Sequence, residues 1–193
     1  MPVIRQIVIK IISIIFLINI SFLNAAEEKN EVVLTTNKGD IVILLDPKAA
    51  PVSVANFKQY VSSGFYDGTI FHRTIPNFMI QGGGFDANLQ RKETNEPIQN
   101  EASNGLKNLV GTLSMARTGD PHSATSQFFI NVNDNVSLDF QNESARGWGY
   151  AVFGKVTEGL DLVLSISQQK TKRQRPFQNF PIDTVIIEKA VLR

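Results

Sequence analysis

The chain has no cysteine, which excludes disulfides, thiolate zinc sites, a cysteine nucleophile and a lipidated cysteine at an export cleavage site. Its two histidines, His72 and His122, lie far apart in sequence and outside HExxH spacing, so zinc lacks a donor set and no metal is expected. No G-x-S-x-G occurs, which removes the common serine-hydrolase elbow. Gly82-Gly83-Gly84-Phe85-Asp86-Ala87 satisfies G-x-G-x-x-A, but a polar stretch follows it where a dinucleotide fold needs an apolar helix. No organic cofactor is expected. An excess of one charge is missing too. With 19 basic and 18 acidic residues the chain carries +1, so it has no basic field to attract nucleic acid. There is no internal repeat, and no low-complexity segment beyond the N-terminus.

What is present begins with a leader. Arg5 and Lys10 precede the uncharged apolar run Ile11 to Leu23, and Asn24-Ala25-Ala26 precede Glu27 and Glu28. A positive start, an apolar middle and a small-residue exit are the parts of a secretory signal peptide. The apolar run is shorter than the roughly 20 residues of a bilayer span. Stretched back through Lys10, it could instead serve as an uncleaved anchor. We expect a signal peptide over 1–26 and one domain over 27–193, with cleavage after Ala25 or Ala26. Without the leader the domain has 17 basic and 18 acidic residues, a charge of −1. It needs no disulfide in an oxidising space and no stable membrane association after cleavage.

The rest of the chain alternates short apolar runs with turn residues. Glu31 to Thr36 and Asp40 to Leu45 flank Asn37-Lys38-Gly39, read as a three-residue hairpin loop with glycine at a positive φ. Pro51 opens a helix with Val54, Phe57 and Val61 on one face, and Gly64 closes it. A second helix is expected over Glu158 to Gln169, facing inward with Leu160, Val163 and Leu164, and a last strand over Thr184 to Leu192. Asp86 to Ser103 is a long polar connection that wraps the surface, and Lys170 to Pro181 links the second helix to the last strand. Many strands with two helices argue for a closed antiparallel barrel rather than a parallel βαβ sheet.

The run Phe71-His72-Arg73-Thr74-Ile75-Pro76-Asn77-Phe78-Met79-Ile80-Gln81-Gly82-Gly83-Gly84 carries most of the functional information. Strict alternation puts Phe71, Arg73 and Ile75 on one face and Pro76, Phe78 and Ile80 on the other. The glycines read as a tight bend that lets a substrate backbone approach. Periodicity alone leaves Arg73 free to snorkel to water. The pattern F-H-R-x-I-P-x-F-M-x-Q-G-G, however, resembles the signature of the cyclophilins, which are peptidyl-prolyl cis-trans isomerases. Thr36 to Ile41, Pro51 to Phe57, Gly64 to Gly68, Gly111 to Arg117, Ser126 to Ile130 and Tyr150 to Val156 follow in that family's order, and the look is that of its periplasmic bacterial branch.

The resemblance implies a mainly β fold, a closed eight-stranded antiparallel β-barrel capped by two α-helices. It implies a monomeric periplasmic enzyme acting on Xaa-Pro segments of unfolded or exported polypeptides. An Xaa-Pro amide isomerises over tens to hundreds of seconds across a barrier near 18–20 kcal/mol. As the C–N bond twists, the nitrogen becomes a hydrogen-bond acceptor, so a fixed guanidinium favours the twisted amide over the planar one. By motif match Arg73 is that donor, with Phe78 and Gln81 beside it as catalytic residues. Phe78, Met79, Phe129 and Leu138 would line the proline pocket, where the ordinary alternative is core packing. Gln81 and Gln127 would orient Arg73 or bond the peptide, and the backbone of Ala116 and Arg117 would pair with residues before the proline.

Three positions depart from the family pattern. Arg117 stands where asparagine is common, Tyr150 where histidine is common, and Ser137 where many members have a tryptophan that takes part in cyclosporin binding. Tyr150 implies altered substrate preference, Arg117 leaves its backbone as the expected contact, and Ser137 with Tyr150 leaves open a proline-peptide binding module or folding helper with weak isomerase activity. Cyclosporin should bind weakly; a tight dissociation constant in a titration would contradict this expectation.

Overall fold

Residues 29–193 are described by the computed structural model, and the leader expected over 1–26 lies outside them. Eight strands close a barrel in the order β1 (Glu31–Thr36), β10 (Val185–Leu192), β3 (Thr69–Ile75), β4 (Met79–Asp86), β6 (Phe128–Asn131), β5 (Thr112–Met115), β7 (Val152–Glu158) and β2 (Gly39–Leu45). All eight pairings are antiparallel. Closure leaves the barrel no open edge.

In β1, Val32, Leu34 and Thr36 are buried and their neighbours are half-exposed, the period of a strand with one face on a core. Thr36 pairs directly with Gly39, so the turn is the two residues Asn37 and Lys38. Gly39, at φ 130°, opens β2 rather than ending a three-residue loop. Asn37 fixes this turn to β10: its Oδ1 accepts from Ile186 N at 3.0 Å and its Nδ2 donates to Thr184 O at 3.0 Å.

Helix α1 (Pro51–Ser62) starts on proline and has no side-chain cap of its own. Its first amides are met from the long polar connection, where the Glu101 carboxylate accepts from Val52 N at 2.9 Å and Ser53 N at 2.7 Å. That connection is thus tied down, with Asn95 N also donating to the Tyr60 hydroxyl at 2.9 Å. Inside the barrel Phe57 meets Tyr66, Phe128 and Phe153 at centroid distances of 5.1, 5.4 and 5.2 Å, within the range of favourable aromatic pairs.

Helix α2 (Leu160–Ser167) follows Gly159 at φ 81° and is shorter than expected. Val163 and Ile166 are buried, whereas Leu164 is exposed. Leu160, Val163 and Ile166 form the inward stripe. The segment after α2 is a separate hairpin outside the barrel, β8 (Thr171–Gln174) with β9 (Phe177–Pro181). It was hidden in the sequence because β8 contains no apolar side chain to alternate. Among the described residues no helix is long and apolar enough to cross a membrane.

Candidate active site

The signature run is a hairpin, not one strand: β3 ends at Ile75, Asn77 turns at φ 57°, and β4 begins at Met79. Its β3 half is bulged. Phe71 pairs with Gly82 but Arg73 pairs with Gln81, so one extra residue, His72, sits on β3 between the two rungs. A bulge reverses which face the following side chains take. Phe71 is fully buried in the barrel core, while Arg73 lines a cleft on the outside. The alternation that put both on one face is therefore corrected by the bulge.

The glycines are corrected too. Gly82 to Gly84 lie within β4, where Gly83 takes a φ of 80° and the pairing slips between Gly82 and Asp86, and the room they leave is filled by the protein's own side chains rather than left for a substrate backbone. A Cβ at Gly83 would come within 2.9 Å of the Tyr66 and Phe128 rings, and one at Gly84 within 2.5 Å of the Gln127 side chain.

One rung of the sheet builds the site. Arg73 on β3 lies opposite Gln81 on β4, Gln81 opposite Phe129 on β6, and Phe129 opposite Ser114 on β5. Arg73 Nη1 donates to Gln81 Oε1 at 3.1 Å, and Gln81 Nε2 donates to Gln127 Oε1 at 3.0 Å. With its carbonyl turned to the guanidinium, Gln81 holds one edge of the fork and leaves other N–H groups free to donate. Arg73 is half-buried. Burial draws its guanidinium below the usual value, an effect that Tyr150 partly offsets, and arginine remains charged throughout the physiological range.

The cleft, of about 170 Å³, is lined by Arg73, Gln81, Phe78, Met79, Phe129, Leu138, Ala116, Arg117 and Tyr150. Gln127 joins it through Gln81. Met79 and Phe129 are 2% and 4% exposed, yet neither belongs to the barrel's interior cluster. Their burial is that of a pocket wall on the outer face. The Ala116 amide is already committed to Gln127 O at 2.9 Å. A peptide strand docking there must therefore use the Ala116 carbonyl or the Arg117 backbone, which narrows the pairing expected from sequence.

Two of the departures from the family pattern are in contact. The Arg117 guanidinium lies 4.6 Å from the centroid of the Tyr150 ring, a cation–π distance. Arg117 Nε donates to Gly149 O at 2.8 Å and Nη1 to Thr118 O at 2.9 Å. Tyr150 in turn stands edge-on to Phe129 at 5.6 Å. Trp148 packs on His122 and Phe140 at 4.9 and 5.4 Å, so it is not a cleft residue.

A group behind the cleft escaped sequence reasoning: Asn108, Ser114, Asn131, Asn135 and Asp139 are all buried. A signal existed in Asn131-Val132-Asn133-Asp134-Asn135, where asparagines recur at every second position straight after an apolar strand. Among the described residues no group of three or more His, Asp or Glu is placed to hold a metal ion.

Comparison with known proteins gives the family and the fold. The family described as "Cyclophilin type peptidyl-prolyl cis-trans isomerase/CLD" matches residues 31–190. Peptidyl-prolyl cis-trans isomerase A of Dickeya dadantii is 50% identical over 186 residues, covering 96% of each chain. Peptidyl-prolyl cis-trans isomerase B of Escherichia coli is 56% identical over 153 residues, 79% of this chain and 93% of that one. A Cryptosporidium parvum cyclophilin, solved in the presence of the dipeptide Ala-Pro, superposes with a TM-score of 0.69 at 29% identity, covering 84% of this chain and 98% of the other. The chain belongs to the cyclophilin-type peptidyl-prolyl cis-trans isomerases. It is an isomerase of Xaa-Pro bonds on the cyclophilin barrel.

His72, the extra residue of the bulge, packs between Phe85 and Phe177 at 4.9 and 5.1 Å. Its Nδ1 is buried without a partner. Burial, reinforced by the Arg73 charge, lowers its pKa from 6.5 to about 4. Below pH 6.5 the unfolded chain takes up a proton that the native histidine refuses until about pH 4. Stability is therefore lost as pH falls through that window, by about 3 kcal/mol in all. His72→Phe should flatten urea-midpoint curves measured between pH 6.5 and 4. An unchanged acid slope would show that His72 is not the group responsible.

Proposed function

We propose that catalysis rests on the Arg73–Gln81–Gln127 chain set against the wall formed by Phe78, Met79, Phe129 and Leu138. The observation that carries this reading is the half-buried guanidinium, bonded to Gln81 at 3.1 Å, facing the cleft. The prolyl ring fills the apolar end, and the residues before it run along Ala116 and Arg117. Arg73 donates to the prolyl nitrogen as the amide twists. No covalent bond is made or broken, so the rate gain comes from a donor already in place and partly shielded from water. Gln127 steadies Gln81, which steadies Arg73. The Arg117–Tyr150 pair shapes the groove for the residue before proline.

The same reading makes the substrates Xaa-Pro segments of exported polypeptides, handled by a monomer in the periplasm after removal of residues 1–26. The leader pattern supports this, as does the Dickeya dadantii relative, whose match over 96% of this chain reaches into the leader. Sequencing the N-terminus of protein recovered from an exporting cell should give Ala26 or Glu27; Met1 would show that the leader is not removed.

The test of the site uses a short Xaa-Pro peptide and variants whose fold is checked by circular dichroism. Arg73→Ala should lower kcat/KM by roughly 10²–10³-fold, the usual loss for one transition-state donor. Arg73→Lys should recover little, because an ammonium has no planar fork to rest on Gln81 while donating elsewhere. Parental activity in Arg73→Ala would refute the mechanism. Should the parent bind the peptide yet leave it at its uncatalysed rate, the binding-module reading would replace it.

A further inference from the structure

The buried amides behind the cleft form one connected group that touches both apolar walls of the proline pocket. Asn135 Nδ2 donates to Phe78 O at 2.8 Å and to Asn131 Oδ1 at 2.7 Å. The Asn135 carbonyl accepts from Leu138 N at 2.8 Å, and its own amide donates to Asn108 O at 2.8 Å. Asn131 Nδ2 continues to Thr112 Oγ1 at 2.9 Å and Asn108 Oδ1 at 3.3 Å, and Ser114 Oγ reaches the same Asn108 oxygen at 2.7 Å. Asn108 closes the group on Asp139, whose Oδ1 accepts from Asn108 N at 2.8 Å and Nδ2 at 3.1 Å.

We infer that Asn135 is a positioning residue for the isomerase: through one side chain and one carbonyl it sets the Phe78 turn and the Leu138 turn at the separation that grips a prolyl ring. The inference rests on the reading of Phe78 and Leu138 as the ring's walls. Neither wall is held by regular structure of its own. Phe78 sits in the turn between β3 and β4, and Leu138 in a single 3-10 turn, Val136–Leu138. Backbone bonds tie each turn to a neighbour, Val132 N to Phe78 O at 3.0 Å and Tyr150 N to Leu138 O at 2.9 Å, but Asn135 is the residue bonded to both turns, and apolar packing is non-directional. An amide has two donor hydrogens and an acceptor oxygen at fixed angles, so a buried amide with both donors used admits one arrangement. Asn135 is only 7% exposed, so water does not readily replace a lost partner.

Phe78 and Leu138 touch the ring in the planar and the twisted amide alike. Loosening them removes uniform binding, which raises KM and leaves kcat nearly unchanged. Losing the Arg73 donor does the reverse. Asn135→Leu and Asn135→Ala should each raise KM for a short Xaa-Pro peptide roughly tenfold, as loss of the bond that holds Phe78 O implies, with kcat within about twofold of the parent. Val163→Ala, which opens a cavity in the barrel's interior cluster under α2, serves as the stability control and should keep the parental KM at an equal or larger fall in melting temperature.

Parental KM in the folded Asn135 variants, or an equal rise in Val163→Ala, would overturn the inference. Should the Asn135 variants fail to fold, deuterium exchange in the parent decides. The Asn135 side-chain amide protons should exchange far more slowly than those of exposed Asn133, and equal rates would overturn the inference. Arg73→Ala in the same assay reports separately on the site: without a fall in its kcat, the reading of the cleft fails whatever Asn135 does.

Discussion

The structure depends on one irregularity in strand pairing. Between Phe71 and Arg73, β3 carries one residue more than β4, and that residue changes which side of the barrel the chain addresses. Before it, the strand supplies the core with Phe71; after it, the strand supplies the cleft with Arg73. Beside it the strands run close, and a Cβ on Gly82 would lie 3.0 Å from Ile70 O. His72, displaced by the bulge, needs cover, and Phe177 of the β8–β9 hairpin provides it. Core, cleft and hairpin are in this way tied to that register slip, while a second irregularity of the same pair, between Thr69 and Phe71, sets Gly83, Gly84 and Phe85 opposite Ile70.

Much of the site is legible in the motifs, because the family signature names residue types that the barrel then brings onto one rung. Period-two reasoning could not locate Arg73, since alternation assumes that no residue is inserted, and nothing in Phe71-His72-Arg73 announces an insertion. The same limit applies to Leu164. Leu160, Val163, Leu164 and Ile166 are all apolar and span too wide an arc to be buried together, and the pattern does not say that Ile166 rather than Leu164 turns inward. The β8–β9 hairpin stayed hidden for another reason: the Thr171-Lys172-Arg173-Gln174 strand pairs through its backbone and shows no hydrophobic pattern.

Arg117 and Tyr150 illustrate how tertiary contact changes the meaning of a substitution. Separately, each looked like a loss from the family pattern. Together they form a guanidinium-on-ring pair at 4.6 Å that also binds the Gly149 carbonyl, and the pair closes the cleft beside Phe129. Behind it, Asn135 and Asn131 bond to each other and Asn135 to the Phe78 carbonyl. The cleft is thus apolar along Phe78, Met79, Phe129 and Leu138 and polar behind them.

The proposed catalysis requires that the prolyl ring and the Arg73 guanidinium share this cleft. A crystal structure of the protein with a bound Xaa-Pro peptide would show whether they do. The ring should lie on Phe129 between Phe78 and Leu138, with a guanidinium nitrogen roughly 3–4 Å from the prolyl nitrogen, close enough to bond as the amide twists. A ring seated instead in the larger apolar groove beside Leu44, Leu109 and Thr112, or in the cleft with Arg73 turned away from it, would contradict that mechanism.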